Sequence, residues 1–258
     1  MEDEAMGEKT MQSRKLSEWN MQMWMGQMAY EKGQYMQAAG KFKKGLELLE
    51  SMHIDDERLA SNLNGLALCY CAQGKHEESD SLYRKALEID QTVRNKAALA
   101  SDLNNMGTHY RKQGKFDRAE PLYQKALSLY DENESNAEIA SILNNLGLLY
   151  CAQGDCCVGE AFFRKALTME GRLFGHKSKE YARTLVDLAA NLCMQGKCEE
   201  AEPLFEEGIP QLGYQIGPSP ELADAYELYL EYLKKTHKTD EEGRIADDIE
   251  HFKKKSNF

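Results

Sequence analysis

The sequence predicts an all-α solenoid of stacked antiparallel helix pairs, and three observations carry that expectation. Glycines recur at Gly33, Gly74, Gly114, Gly154 and Gly196, in steps of 41, 40, 40 and 42 residues. Aromatic residues at Phe42, Tyr83, Tyr123, Phe163 and Phe205 recur in the same steps. Between the glycines, apolar residues fall at i, i+3, i+4 and i+7, which is the period of one helix face. A unit that repeats at fixed period cannot bury such a face alone, so it must stack on its neighbours.

Taken in order, residues 1–15 are polar and are expected to fray at the N-terminus. Five helix pairs are then expected at about 17–53, 56–93, 96–133, 136–174 and 178–212. The second, third and fourth align without gaps from Leu63, Leu103 and Leu143, and looser copies start at Met25 and Leu185. In the third unit Leu103, Met106, Gly107 and Tyr110 share one face of the first helix. Phe116, Ala119, Tyr123, Ala126 and Leu127 share one face of the second. The intervening glycine ends the first helix, because glycine readily adopts the left-handed conformation of a C-terminal cap. Gly107 and Gly147 fall within first helices, where glycine costs about 1 kcal/mol against alanine. Close helix contact explains a small residue there, and Ala67 and Ala189 fill the same slot. Pro121 and Pro203 stand early in second helices, where a missing N–H does least harm. Residues 213–254 are expected to form a loop and a degenerate sixth pair acting as a C-terminal cap. That pair has His237 where the others have glycine and Ala246 where they have an aromatic, and 255–258 form a tail.

The order apolar, small, Tyr, Gly, aromatic, Ala, aromatic, Ala is read on Met106, Gly107, Tyr110, Gly114, Phe116, Ala119, Tyr123 and Ala126. It resembles the consensus of tetratricopeptide repeats. The 40 to 42-residue period and phrases such as LNNLGLLY and QGKFDRAEPLYQKAL resemble the variant found in kinesin light chains. The resemblance covers about residues 19–212. It implies a right-handed superhelix whose first helices line a concave groove, and a protein or peptide as the ligand. No heptad-bearing segment precedes the array, so a complete kinesin light chain is not expected.

The residues that the resemblance places toward the groove lie outside the packing stripe. They are Asn64; Ser101, Asn104, Asn105, Thr108, Arg111 and Lys112; Ser141, Asn144, Asn145 and Leu148; and Arg183. An asparagine amide offers both a donor and an acceptor, which suits the alternating groups of an extended peptide backbone. Asn105 and Asn145 stand one repeat apart, and the resemblance implies that such asparagines hold a peptide. The competing reading is a solvated or capped helix face. Arg111, Lys112 and Arg183 would favour an acidic segment. The carboxylate clamp that some such arrays use for chaperone tails is not matched, since Met23, Gln27, Asn64 and Gly65 occupy its positions.

Other functions find little support. A net charge of -11 lacks the basic footprint that nucleic-acid binding needs. No stretch reaches the roughly 18 apolar residues of a membrane span. The acidic start MEDEAMGEKT does not resemble a signal peptide, and seven cysteines without one suggest reduced thiols in the cytoplasm. No Cys-x-x-Cys pair is present, so no metal site is expected; Cys71, Cys151 and Cys193 share a groove position and leave open a reactive thiol. No catalytic histidine pattern or phosphate loop occurs, and neither an enzyme nor a cofactor is expected. The alternative to a peptide-binding adaptor is a structural scaffold that assembles, even with itself, through the convex face or the ends of the array.

Overall fold

The computed structural model describes residues 2–93, 95–131, 134–217, 219–238, 242–243 and 245–250, with side chains from residue 10 onward. The described residues form α-helices joined by short turns, with no strand among them. The helices are α1 (Glu2–Glu31), α2 (Tyr35–Ser51), α3 (Glu57–Ala72), α4 (His76–Val93), α5 (Lys96–Lys112) and α6 (Phe116–Ser128). They continue with α7 (Ala137–Gln153), α8 (Cys156–Leu173), α9 (Lys179–Met194), α10 (Cys198–Ile216) and α11 (Pro220–Thr236). Residues 245–250 are also helical. The expected tail 255–258, with Lys253, Lys254 and Lys255 before it, lies outside the described residues.

Local chemistry sets the helix ends. Asp56, Asn136, Ser178 and Ser219 each accept a backbone N–H at the start of α3, α7, α9 and α11. Asn95 does the same for α5, accepting from Ala98 at 3.1 Å. Such caps satisfy donors that have no partner inside the helix. At the other end, the five repeating glycines all have positive φ, between 71° and 93°. In the second repeat Gly74 N–H donates to Cys71 O at 3.0 Å and Lys75 N–H to Tyr70 O at 2.9 Å. Those are the two bonds of a Schellman motif, and glycine enters its left-handed position without a Cβ penalty. His237 takes the same conformation at the end of α11, with φ 57°.

The chain forms two compact units, Met1–His109 and Tyr110–Phe258. In the first, α1 packs on α2, α2 on α3 and α3 on α4. Phe42 is buried, and a Cβ added at Gly26 or Gly65 would meet its ring at 2.9 or 2.5 Å. Trp19 is also buried; its indole N–H donates to Asn62 Oδ1 at 2.9 Å, while Asn62 donates to Phe42 O at 2.7 Å. Trp24 does not share this packing and stays 65% exposed.

In the second unit α7 pairs with α8 and α9 with α10, while α6 packs on α7, α8 on α9, and α11 on both α9 and α10. Tyr123, Phe163 and Phe205 are fully buried from α6, α8 and α10. A Cβ at Gly147 would lie 2.7 Å from the Phe163 ring, so the small slot of the first helix seats the aromatic of the second. Helix α10 continues through Pro210 to Ile216, so the connection to α11 begins at Gly217 rather than at Gly213.

Candidate functional site

The paired asparagines of the first helices take different environments, because neighbours on a helix point about 100° apart. In the first unit Asn64 is buried and donates to the carboxylate of Asp102 on α5. Asn104 is buried, while Asn105, Ser101 and Thr108 are half-buried. In the second unit Asn144 is buried and donates to Thr184 Oγ1 and Asp187 Oδ2, each at 3.0 Å, on α9. Asn145 and Leu148 are half-buried and Ser141 is exposed. The first asparagine of two of these repeats is therefore a tie between successive first helices. The second, Asn105 or Asn145, is half-buried. Residue type alone does not separate the two roles.

These ties extend into buried carboxyls that sequence reading did not single out. Asn144 donates to Thr184, and Thr184 donates to Glu170 Oε1 at 3.1 Å. Glu170 is 3% exposed, and burial pushes its carboxyl up to about 7, partly offset by the Thr184 bond. The corresponding place in the first unit holds Asp90 against Asp102, both buried, and burial raises the Asp90 carboxyl. The register from the turn glycine would have paired these positions (90 with 170, 102 with 184), but only packing shows that they meet.

Charge along the first helices of the second unit is more balanced than the basic residues suggest. Arg183 forms an ion pair with Glu221, which Lys179 also approaches at 3.4 Å. Burial raises the Asp187 carboxyl, while Asn144, Arg183 and Arg111 pull it down. Arg111 is half-buried and Lys112 exposed. Burial also pushes the Cys151 thiol up to about 11 and the Cys193 thiol to about 12, which disfavours the reactive thiolate at neutral pH. All seven cysteines are free thiols. A separate cavity of about 960 Å³ is lined by Leu127, Tyr130, Ile139 and Met169, with Arg164 and Arg172 among its polar walls. None of the residues expected in the groove lines it. No helix of the described residues is long and apolar enough to cross a membrane.

Comparison with known proteins agrees with this arrangement. Among solved structures, BtubC (BKLC) from P. vanneervenii is 21% identical, with 80% of this chain and 89% of that chain covered and a TM-score of 0.59. A Podosopora anserina protein with nearly identical TPR-like repeats, assigned to the kinesin light chains, is 15% identical, with coverage of 79% and 97% and a TM-score of 0.56. NprR in complex with its cognate peptide NprX is 15% identical, with coverage of 96% and 70% and a TM-score of 0.70. At these identities the likeness is one of fold. A search of the curated proteins found no match. The sequence profile of the tetratricopeptide repeat matches residues 20–91, 57–132 and 138–212, and a second profile of that repeat matches 104–170. With most of its length matched in this way, the chain belongs to the tetratricopeptide repeat family.

Proposed function

We propose that this protein-interaction scaffold holds an extended segment of a partner protein along its first helices. The observation that carries the reading is the half-buried second asparagine of two successive repeats, Asn105 and Asn145. Each directly follows a buried asparagine and is itself half-buried. An amide of this kind offers one donor and one acceptor to a peptide backbone. Ser101 and Thr108 in the first unit, and Ser141 and Leu148 in the second, add polar and apolar contacts of the same reach. NprR, which shares the fold, is known in complex with a peptide. Arg111 and Lys112 favour an acidic segment; Arg183 contributes less, because Glu221 already neutralises it. Neither catalysis nor a cofactor is part of this reading, and seven free thiols suit a reducing compartment such as the cytoplasm.

A displayed library of extended peptides tests the proposal. The wild-type chain is expected to enrich a defined set, and Asn105→Leu and Asn145→Leu should each weaken binding about tenfold, the loss of one or two hydrogen bonds in a desolvated contact. Circular dichroism should stay helical. Unchanged affinity in both variants would sink the asparagine role.

A second reading rests on Met21, Trp24 and Met36, which are 58%, 65% and 81% exposed on α1 and α2. Large apolar side chains in water favour association through that end of the array. Light scattering that shows a monomer at high concentration removes self-assembly.

A further inference from the structure

The turn between α3 and α4 brings together three side chains that a search for short metal motifs does not connect. Cys71 lies in the last turn of α3, His76 opens α4, and His109 stands on α5. One ligand atom from each lies within 4.8 Å of the other two. The two imidazole rings are 5.7 Å apart between centroids, tilted at 58°. Cys71 is half-buried, His76 exposed and His109 buried, so the cluster is anchored on one side and open on the other. It is the one such group found among the described residues, and all three belong to the first unit.

Its geometry follows from the repeat. Residues three before and two after each turn glycine face each other across the turn; in the first repeat these are Tyr30 and Tyr35, with ring centroids 5.3 Å apart. In the second repeat the same two places hold a thiol and an imidazole. The third donor replaces an apolar residue, for the position of His109 is occupied by Leu149 in the following repeat. The ring lies beside Ser79, whose hydroxyl donates to Ala67 O at 2.8 Å. Ser79 Oγ also lies 3.5 Å from His109 Nδ1. Because the hydroxyl hydrogen is committed to Ala67 O, this contact favours the tautomer protonated on Nδ1. A hydrogen-bond partner that favours one tautomer is a regular feature of histidine metal ligands.

We infer that Cys71, His76 and His109 form a binding site for a divalent transition metal of the zinc type. One thiolate and two imidazoles are a donor set that zinc takes readily, with water in the fourth position. The cysteine gives up its proton on binding, and the metal joins the α3–α4 turn to α5. The absence of a Cys-x-x-Cys pair does not bear on this site, since its ligands come from two successive repeats.

Cobalt titration of the reduced full chain provides the test, because Co²⁺ occupies zinc sites and shows a thiolate-to-cobalt charge-transfer band. One equivalent is expected to bind with that band, and added Zn²⁺ should abolish it. Cys71→Ser should remove the band. His76→Ala, at an exposed position, and His109→Leu, which introduces the residue that the next repeat carries, should each weaken Co²⁺ binding by at least about tenfold while circular dichroism stays unchanged. A wild-type chain without the band overturns the inference. So does a band that survives Cys71→Ser, or a Co²⁺ affinity that falls less than about tenfold in either histidine variant.

Discussion

At the scale of single residues, the buried polar groups matter most, because a carboxyl removed from water holds its proton more tightly. The fold raises the Glu170 carboxyl from 4.5 to about 7, so the native state binds a proton that the unfolded chain has released. Its contribution to stability is therefore greatest below pH 4.5, declines as pH rises toward about 7, and is flat above that. The shift corresponds to about 3 kcal/mol. Glu170→Gln keeps an acceptor for Thr184 and removes the ionisation. Denaturant melts should show the variant more stable than wild type at pH 8 and nearly equal at pH 4; identical pH profiles would remove Glu170 from this role. Asn62 gives a second case, in which the side chain joins Trp19 of α1 to the Phe42 carbonyl of α2. Asn62→Ala strands a buried indole N–H and should cost about 1–3 kcal/mol, read as a lowered urea midpoint.

At the scale of helices and turns, glycine has two distinct jobs here. Gly159, early in α8, faces the backbone of α7: an added Cβ would lie 2.9 Å from Gly147 O and 3.0 Å from Asn191 Nδ2. A backbone oxygen cannot swing aside, so Gly159→Ala should destabilise by about 1–3 kcal/mol. Gly40 in α2 meets nothing within 4 Å, and Gly40→Ala should stabilise by about 0.5–1 kcal/mol through helix propensity alone. Equal responses of the two variants in thermal melts would refute this assignment. At the end of α11, His237 holds a left-handed conformation that costs a side chain about 1–2 kcal/mol. His237→Gly should recover most of that, which a raised melting temperature would show. The turn glycines were legible in the sequence because an identical backbone need recurs at each helix end. The first-helix caps at Asp56, Asn95, Asn136, Ser178 and Ser219 were equally available there, since Asp, Asn and Ser are the residues that cap helices.

At the scale of the whole molecule, stability in a repeat array is a sum of local terms and nearest-neighbour contacts. A lesion in one unit should therefore spread only to adjacent helices. Hydrogen exchange on Gly159→Ala is expected to accelerate in α7 to α10 and to leave α1 to α3 unchanged; uniform acceleration would point to a single cooperative block. The net charge of -11 belongs to this scale as well. It opposes acidic partners at long range, so any preference for an acidic segment has to come from Arg111 and Lys112 at contact distance.

The sequence by itself determined the class of the fold and the residues that fill the buried aromatic slots. It could do so because helix period and turn chemistry are local properties, repeated in register from Phe42 to Phe205. Tertiary structure alone decided that Asn64 and Asn144 tie successive first helices, that Arg183 is neutralised by Glu221, and that Glu170 sits in a site dry enough to hold its proton. It also decided that His109 meets Cys71 and His76. Each of these depends on what the next repeat places opposite a side chain, at separations of 14 to 43 residues, and no local pattern encodes that contact.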